Sequence, residues 1–203
     1  HHIGWSGCNW NSHDSEIQRL VEICSTHGRY EYEGNLPIGY RQDQIKTDNF
    51  IVDVLKKGFY LGFAGGSDSH GLLWHGTFPS EGYGASNSGL KVGWKENSSR
   101  TGLTAILSPE LSREALFEAL FNRRCYATSG AKIFIDFQIN GYLMGSKFVT
   151  NNLPQIKITV KGTSGLQSVE VIRDGFIMCS LQTDRKHSIK EIGCTVEDEM
   201  ISP

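Results

Sequence analysis

The first 130 residues alternate between short apolar runs and stretches with helical spacing. Residues 20–25 and 59–66 are short, largely apolar runs, which are typical of strands buried in a parallel sheet. Between them, apolar residues over 43–57 recur at helical spacing, and Gly58 is a natural stop. Three further elements are predicted: a short helix capped by Asp14, a strand over 101–107, and a helix capped by Ser112 that leads into a strand over 125–128. This order indicates an α/β layout.

After Gly130 the apolar period changes from helical spacing to strict alternation. Ile133, Ile135, Phe137 and Ile139 alternate with more polar neighbours, and residues 156–160 repeat the pattern, which is typical of strands with one buried face. Asn-Gly at 140–141 and Asp-Gly at 174–175 are hairpin turn signals. The pattern predicts a small β-sandwich-like domain over residues 131–203, behind an α/β part over residues 1–130.

Composition excludes several classes of partner. The 203 residues are 38% hydrophobic and 21% charged, with a net charge of -2, so neither a nucleic acid nor an anionic membrane surface is expected as a partner. No apolar stretch approaches the roughly 18 residues that a membrane helix needs. The five cysteines form no C-x-x-C pair, so they indicate neither a zinc site nor a disulfide framework, and the compartment stays open.

The motif Gly-Gly-Ser-Asp-Ser-His-Gly at 65–71 carries the clearest chemical signal. Residues two apart on an extended segment point to the same side, so Asp68 and His70 can face one point just after a buried strand. A carboxylate and an imidazole placed in this way can bind a divalent metal ion. The alternative is structural: Asp68 caps a turn, and His70 is a solvated loop residue.

This motif resembles the last metal motif of the PHP (polymerase and histidinol phosphatase) superfamily of metal-dependent phosphoesterases. The opening His-His-Ile-Gly resembles the H-P-G segment of that superfamily, with His2 at the metal-binding position and Ile3 in place of proline. Residues 21–25 resemble the following barrel strand, and residues 100–104 and 124–130 resemble a branch with a C-terminal β-domain. The resemblance implies the C-terminal part of a distorted, seven-stranded β/α barrel, and hence a chain that is α/β and then all-β.

The resemblance also implies the site. Asp68, His70 and His2 are the expected metal ligands, in an intact site that holds two or three divalent ions (manganese, zinc or iron). Four further residues are candidates for substrate contacts, each with a simpler structural explanation as a loop residue or helix end: His27, Arg100, His75 and Arg124. The expected substrate is a small or phosphorylated molecule, cleaved by a metal-bound hydroxide.

Other features of the superfamily site are missing from these residues. The sequence contains no H-x-H pair and too few strands for a closed barrel, so the N-terminal part of the barrel is expected elsewhere, and this chain alone is expected to be a poor catalyst. The alternative function is a non-catalytic module that binds a carbohydrate or a protein on a degenerate barrel. A role in nucleic-acid processing ranks last, because the chain lacks a basic surface.

Overall fold

The computed structural model describes residues 8–25, 28–35, 49–66, 102–182 and 191–197. These residues divide into two compact units. The first unit is drawn from residues 1–107 and 125–130, and the second from residues 108–124 and 131–203. The division predicted at residue 130 stays a prediction. None of the described helices is long and apolar enough to cross a membrane.

The first unit contains a three-stranded sheet and a separate antiparallel pair. Strands β1 (Leu20–Ser25), β2 (Gly28–Arg29) and β3 (Gly62–Gly65) form a sheet of order β2-β1-β3, in which β1 and β3 are parallel. Strands β4 (Leu103–Ile106) and β5 (Cys125–Thr128) pair with each other antiparallel. A short 3-10 turn at Trp10–Ser12 precedes β1, and helix α1 (Ile51–Lys56) precedes β3.

The core of this unit lies between α1 and the three-stranded sheet. Val21 and Val54 are completely buried, and the ring of Tyr30 is 1% exposed. The other buried members of the cluster are Trp10, Phe50, Ile51 and Leu61. The helix ends as the sequence predicted, because Gly58 follows it with a φ of 86° that side chains disfavour.

The second unit begins with helix α2 (Arg113–Phe121) and continues as β-structure. The Ser112 hydroxyl accepts a hydrogen bond from the Ala115 amide at 3.2 Å, so the predicted N-cap is confirmed. The strands are β6 (Phe134–Ile139), β7 (Tyr142–Leu143), β8 (Gln155–Lys161), β9 (Ser168–Arg173), β10 (Phe176–Gln182) and β11 (Glu191–Glu197). They form an antiparallel sheet of order β11-β8-β6-β7 and a β9-β10 hairpin.

Alternation along these strands produces one shared hydrophobic core. Ile156, Ile158 and Val160 on β8 are buried together with Val171 on β9. The predicted inward face of β6 is confirmed, since its apolar residues pack against the same cluster. Both predicted turns are also confirmed, because Asn140 and Asp174 adopt positive φ, each followed by a glycine that does the same.

The predicted β/α barrel is wrong. Within the described ranges the chain is mainly β, with two α-helices and no closed barrel. The physical reason lies in the β4-α2-β5 segment, which was expected to continue a parallel series. Its two strands are antiparallel neighbours, so α2 is not the crossover helix that joins parallel strands. The prediction of a helix after Asp14 is also wrong, because the chain forms a turn there. The Gln18 amide donates a hydrogen bond to the Asp14 carbonyl at 2.7 Å across this turn.

Candidate functional site

Two parallel strands of the first unit end side by side. The pairing of β1 with β3 runs from Leu20 opposite Gly62 to Cys24 opposite Gly65. The Gly66 amide then donates to the Cys24 carbonyl at 3.0 Å, so the contact continues one residue beyond β3. The carboxyl ends of β1 and β3 therefore lie at the same edge of the sheet.

The third strand, β5, ends at the same place. The Cys125 thiol donates to the Phe63 carbonyl at 3.5 Å, and the Cys24 thiol donates to the Thr128 carbonyl at 3.2 Å. Because Phe63 lies opposite Val21, these two contacts show that β5 runs in the same direction as β1 and β3. We call the place where the three strands end, at Ser25, Gly65 and Thr128, the carboxyl edge.

Glycines allow the backbone at this edge to pack more closely than side chains would permit. A Cβ atom at Gly102 would lie 2.3 Å from the Cys24 carbonyl oxygen and 2.8 Å from the amide nitrogen of Gly66. A Cβ atom at Gly65 would lie 2.7 Å from the carbonyl oxygen of Leu103. Since real Cβ atoms do not tolerate such distances, the start of β4 crosses the end of β3 in direct backbone contact.

Thr104 fixes the last residue of β3. Its hydroxyl accepts a hydrogen bond from the Gly65 amide at 3.0 Å and donates one to the Gly65 carbonyl at 2.7 Å. One side chain therefore binds both polar backbone groups of Gly65, as a paired strand would. The backbone is thus held in place immediately before the segment that contains Asp68 and His70.

Two further polar contacts lie beside the end of β1. The Arg29 guanidinium, on β2, donates to the Ser129 hydroxyl at 3.1 Å. The hydroxyls of Ser25 and Tyr30 lie 3.3 Å apart, and both side chains are buried. Sequence reasoning missed these four residues and Thr104. Their positions in the sequence could have indicated them, because Ser25 is the last residue of a predicted strand and Ser129 directly follows another.

Two thiols on these strands, Cys24 near the end of β1 and Cys125 at the start of β5, have raised pKa values. Burial raises the pKa of the Cys24 thiol to about 11; the positive charge of Arg29 lowers it, and the carboxylates of Glu22 and Glu31 raise it further. Burial alone raises the pKa of the Cys125 thiol to about 11. Since the thiolate is the form that attacks substrates, these raised pKa values do not favour either cysteine as a nucleophile at neutral pH.

Most residues predicted for the site lie outside the described part of the chain. These are the expected metal ligands Asp68, His70 and His2, and the weaker candidates His27, Arg100 and His75. The described His, Cys, Asp and Glu residues form no group of three that could hold a metal ion. Metal binding therefore stays a prediction.

Arg124 is the one candidate that the structure describes, and its backbone has a structural role. Its amide donates to the Ala119 carbonyl at 2.8 Å, and the Arg123 amide donates to the Leu120 carbonyl at 3.0 Å. Arg123 adopts a φ of 60°. Together these contacts form a Schellman motif that ends α2, with arginine at the position that glycine usually occupies. A substrate contact by Arg124 stays a prediction.

Comparisons with known proteins identify relatives without a described activity. A family model described as "Protein of unknown function (DUF3604)" matches residues 57–164, more than half of the chain. An uncharacterised protein of Chlamydia trachomatis serovar D is 34% identical over 189 residues, covering 88% of this chain and 28% of that protein. An uncharacterised protein of Chlamydia muridarum is 34% identical over 179 residues, covering 83% of this chain and 27% of that protein. No solved structure matches.

These findings correct the assignment made from the motif. The chain spans less than a third of the length of the curated relatives it matches. The family that matches is not a PHP family, so the predicted membership of the PHP superfamily is wrong, and its TIM-like barrel is absent from the described residues. The names of the family and of these relatives give no activity, so they do not support a description as a hydrolase. The chain belongs to the DUF3604 family of proteins of unknown function.

Proposed function

We propose that the protein to which this chain belongs is a metal-dependent hydrolase that cleaves an ester, with phosphate esters as the first class to screen. One observation carries the proposal: β1, β3 and β5 end at one edge of the first unit, and the segment with Asp68 and His70 follows β3 directly. Catalytic groups commonly gather where parallel strands end. Because the chain is less than a third of its relatives, the activity is proposed for the whole protein.

The residue types suit a divalent metal ion. Carboxylate and imidazole ligands suit manganese, iron and zinc, and we propose that Asp68, His70 and His2 contribute to a site of two or three ions. His27 follows the end of β1 by two residues, which makes it a candidate for a further ligand or a substrate contact. Bound ions would activate a water molecule and neutralise charge that develops on the ester oxygens.

The described residues would hold the backbone next to the proposed ligands, without acting as nucleophiles themselves. Thr104 and Gly102 fix the end of β3, which would keep the following ligand segment in one position. Burial raises the pKa of the Cys24 thiol to about 11, so without a bound metal ion it stays protonated at neutral pH and is not a competing nucleophile. No covalent intermediate on a side chain is needed in this proposal.

Metal content measured by elemental mass spectrometry on the intact protein tests the proposal. We expect stoichiometric manganese, iron or zinc in the wild type and its loss in the Asp68→Ala/His70→Ala variant. His13→Ala/Asp14→Ala is the matched control, because it removes the same residue types from exposed or half-buried positions of the same unit. A folded wild type that stays metal-free after incubation with these ions would reject the hydrolase, and equal metal in both variants would reject the assigned ligands.

A non-catalytic binding role is the second candidate, and exposed aromatic residues of the second unit favour it. The rings of Tyr142 and Phe148 stack with centroids 4.2 Å apart and planes 15° from parallel, and Tyr142 remains 51% exposed. Phe117 and Phe121 stack on the surface of α2 in the same way. Exposed aromatic groups are typical of surfaces that bind other molecules. A metal-free protein would make this candidate, with a protein or carbohydrate as ligand, the leading one.

A further inference from the structure

Two cysteines of the second unit face its hydrophobic core from different sheets. Cys179 lies on β10 opposite Val171 of β9, and Val171 is 6% exposed in that core. Cys194 lies on β11 opposite Ile158 of β8, which is 5% exposed in the same core. Residues directly opposite each other on antiparallel strands have their side chains on the same face, so both thiols face the core. Both cysteines also pack against its buried cluster.

The two thiols also interact with each other. Burial raises the pKa of the Cys194 thiol, and the negative charge of an ionised Cys179 raises it further. Because the interaction between two charges weakens with distance, this effect agrees with two sulfur atoms that share one small core. Both thiols are free and only half-buried, so a small reagent in solution can reach them.

We infer that Cys179 and Cys194 form a reversible disulfide that joins the β9–β10 hairpin to the four-stranded sheet. Within the described residues no strand pairing connects these two sheets, and they meet through the shared core. A bridge between two sheets across their core stabilises other β-sandwich domains in the same way. The link closes a loop of about 15 residues, which stabilises the folded state by restricting the unfolded chain.

Exchange with a small-molecule disulfide, such as oxidised glutathione, supplies the chemistry. One protein thiolate attacks the small disulfide, forms a mixed disulfide and releases one small thiol. The other protein thiolate then attacks the protein sulfur of the mixed disulfide and releases the second small thiol. In sum the protein thiols lose two electrons and two protons, and the small disulfide takes them up as two thiols. An excess of the reduced small thiol reverses both steps, so the link depends on the redox conditions.

Peptide mapping of the intact protein after incubation with oxidised glutathione tests the inference. Trypsin cleaves after Arg173, Arg185 and Lys190, so Cys179 and Cys194 fall in separate peptides. We expect mass spectrometry to detect these two peptides joined to each other, and to find them separate after reduction. Peptides that carry only glutathione, or that are joined to other cysteine peptides, would overturn the inference.

Hydrogen exchange followed by mass spectrometry shows whether the link restrains the hairpin. Amides of β9 and β10 should exchange about 10- to 100-fold more slowly in the oxidised protein than in the reduced one. Cys194→Ser should remove this difference, whereas Cys8→Ser, which removes a half-buried thiol from the first unit, should keep it. Equal rates in the oxidised and reduced wild type would refute the restraint. The peptide map needs the wild type alone, so it decides the inference even if Cys194→Ser does not fold.

Discussion

Replacing Thr104 tests whether one hydroxyl holds the end of β3. The Thr104→Val variant keeps the shape of the side chain but removes both hydrogen bonds of the hydroxyl. One bond is accepted from the Gly65 amide at 3.0 Å, and the other is donated to the Gly65 carbonyl at 2.7 Å. Each bond contributes about 1 kcal/mol net, and both backbone groups are partly buried, so water replaces the hydroxyl only in part. We therefore expect the free energy of unfolding of the first unit to fall by about 2 kcal/mol.

Urea unfolding followed by tryptophan fluorescence measures this change selectively. All four tryptophans of the chain lie within residues 1–107, so their emission reports on the first unit. With a urea slope of about 2 kcal/mol per molar, a loss of about 2 kcal/mol lowers the midpoint by about 1 M. Thr104→Ser is the control, because it keeps the hydroxyl and loses only a methyl group, which costs about 0.8 kcal/mol.

The comparison of the two variants decides the question. If Thr104→Val unfolds at the same urea concentration as Thr104→Ser, the hydroxyl contributes nothing beyond packing, and the reasoning about the end of β3 is refuted. If the valine variant is the less stable one, its metal content gives a second reading. Looser backbone before Asp68 and His70 should weaken metal binding, since partners that orient metal ligands commonly contribute 10–100-fold in affinity.

Two other predictions concern the second unit and the buried thiols. Gly145→Ala should destabilise the second unit by about 3 kcal/mol in urea unfolding followed by circular dichroism, because the new Cβ would lie 2.3 Å from the Asn122 carbonyl oxygen. Gly141→Ala is the control: it has the same φ near 80°, but no atom lies within 4 Å of the new Cβ, so it should cost about 1 kcal/mol. Equal losses in the two variants would contradict the close contact at Gly145. The pKa values of Cys24 and Cys125 are raised from 9.0 to about 11, so the unfolded chain releases these protons first and stability should fall as pH rises from about 9 to 11. The urea midpoint should lose much of this dependence when both cysteines are replaced by alanine, and a wild type with a constant midpoint over that range would contradict the burial of the thiols.

Local signals in the sequence predicted most of the elements. The strands Leu20–Ser25 and Cys125–Thr128 have the predicted bounds, because short apolar runs end where polar residues and glycine begin. The cap at Ser112 and the turn at 140–141 depend on side chains and φ angles within a few residues. Because these features depend on neighbouring residues only, the sequence alone is enough to predict them.

The pairing of strands and the members of the site could not be predicted in the same way. Nothing in the residues of β4 and β5 distinguishes an antiparallel pair from two parallel strands, and the barrel prediction failed at this point. Thr104 contacts Gly65 across 39 positions, and Arg29 contacts Ser129 across 100. Side chains of these types occur throughout the chain, so their roles follow only from the distances that the fold creates.

The residues matched by the family model include only part of the proposed site. The matched residues, 57–164, include β3 with Asp68 and His70, the Thr104 contact, and Ser129 at the end of β5. His2 and His27 lie before them. If the proposed metal site is the basis of a shared activity, we expect it among the residues by which the family is matched, as Asp68 and His70 are. The proposed ligand His2 lies outside those residues, so the Asp68→Ala/His70→Ala variant tests the part of the site that the family match includes.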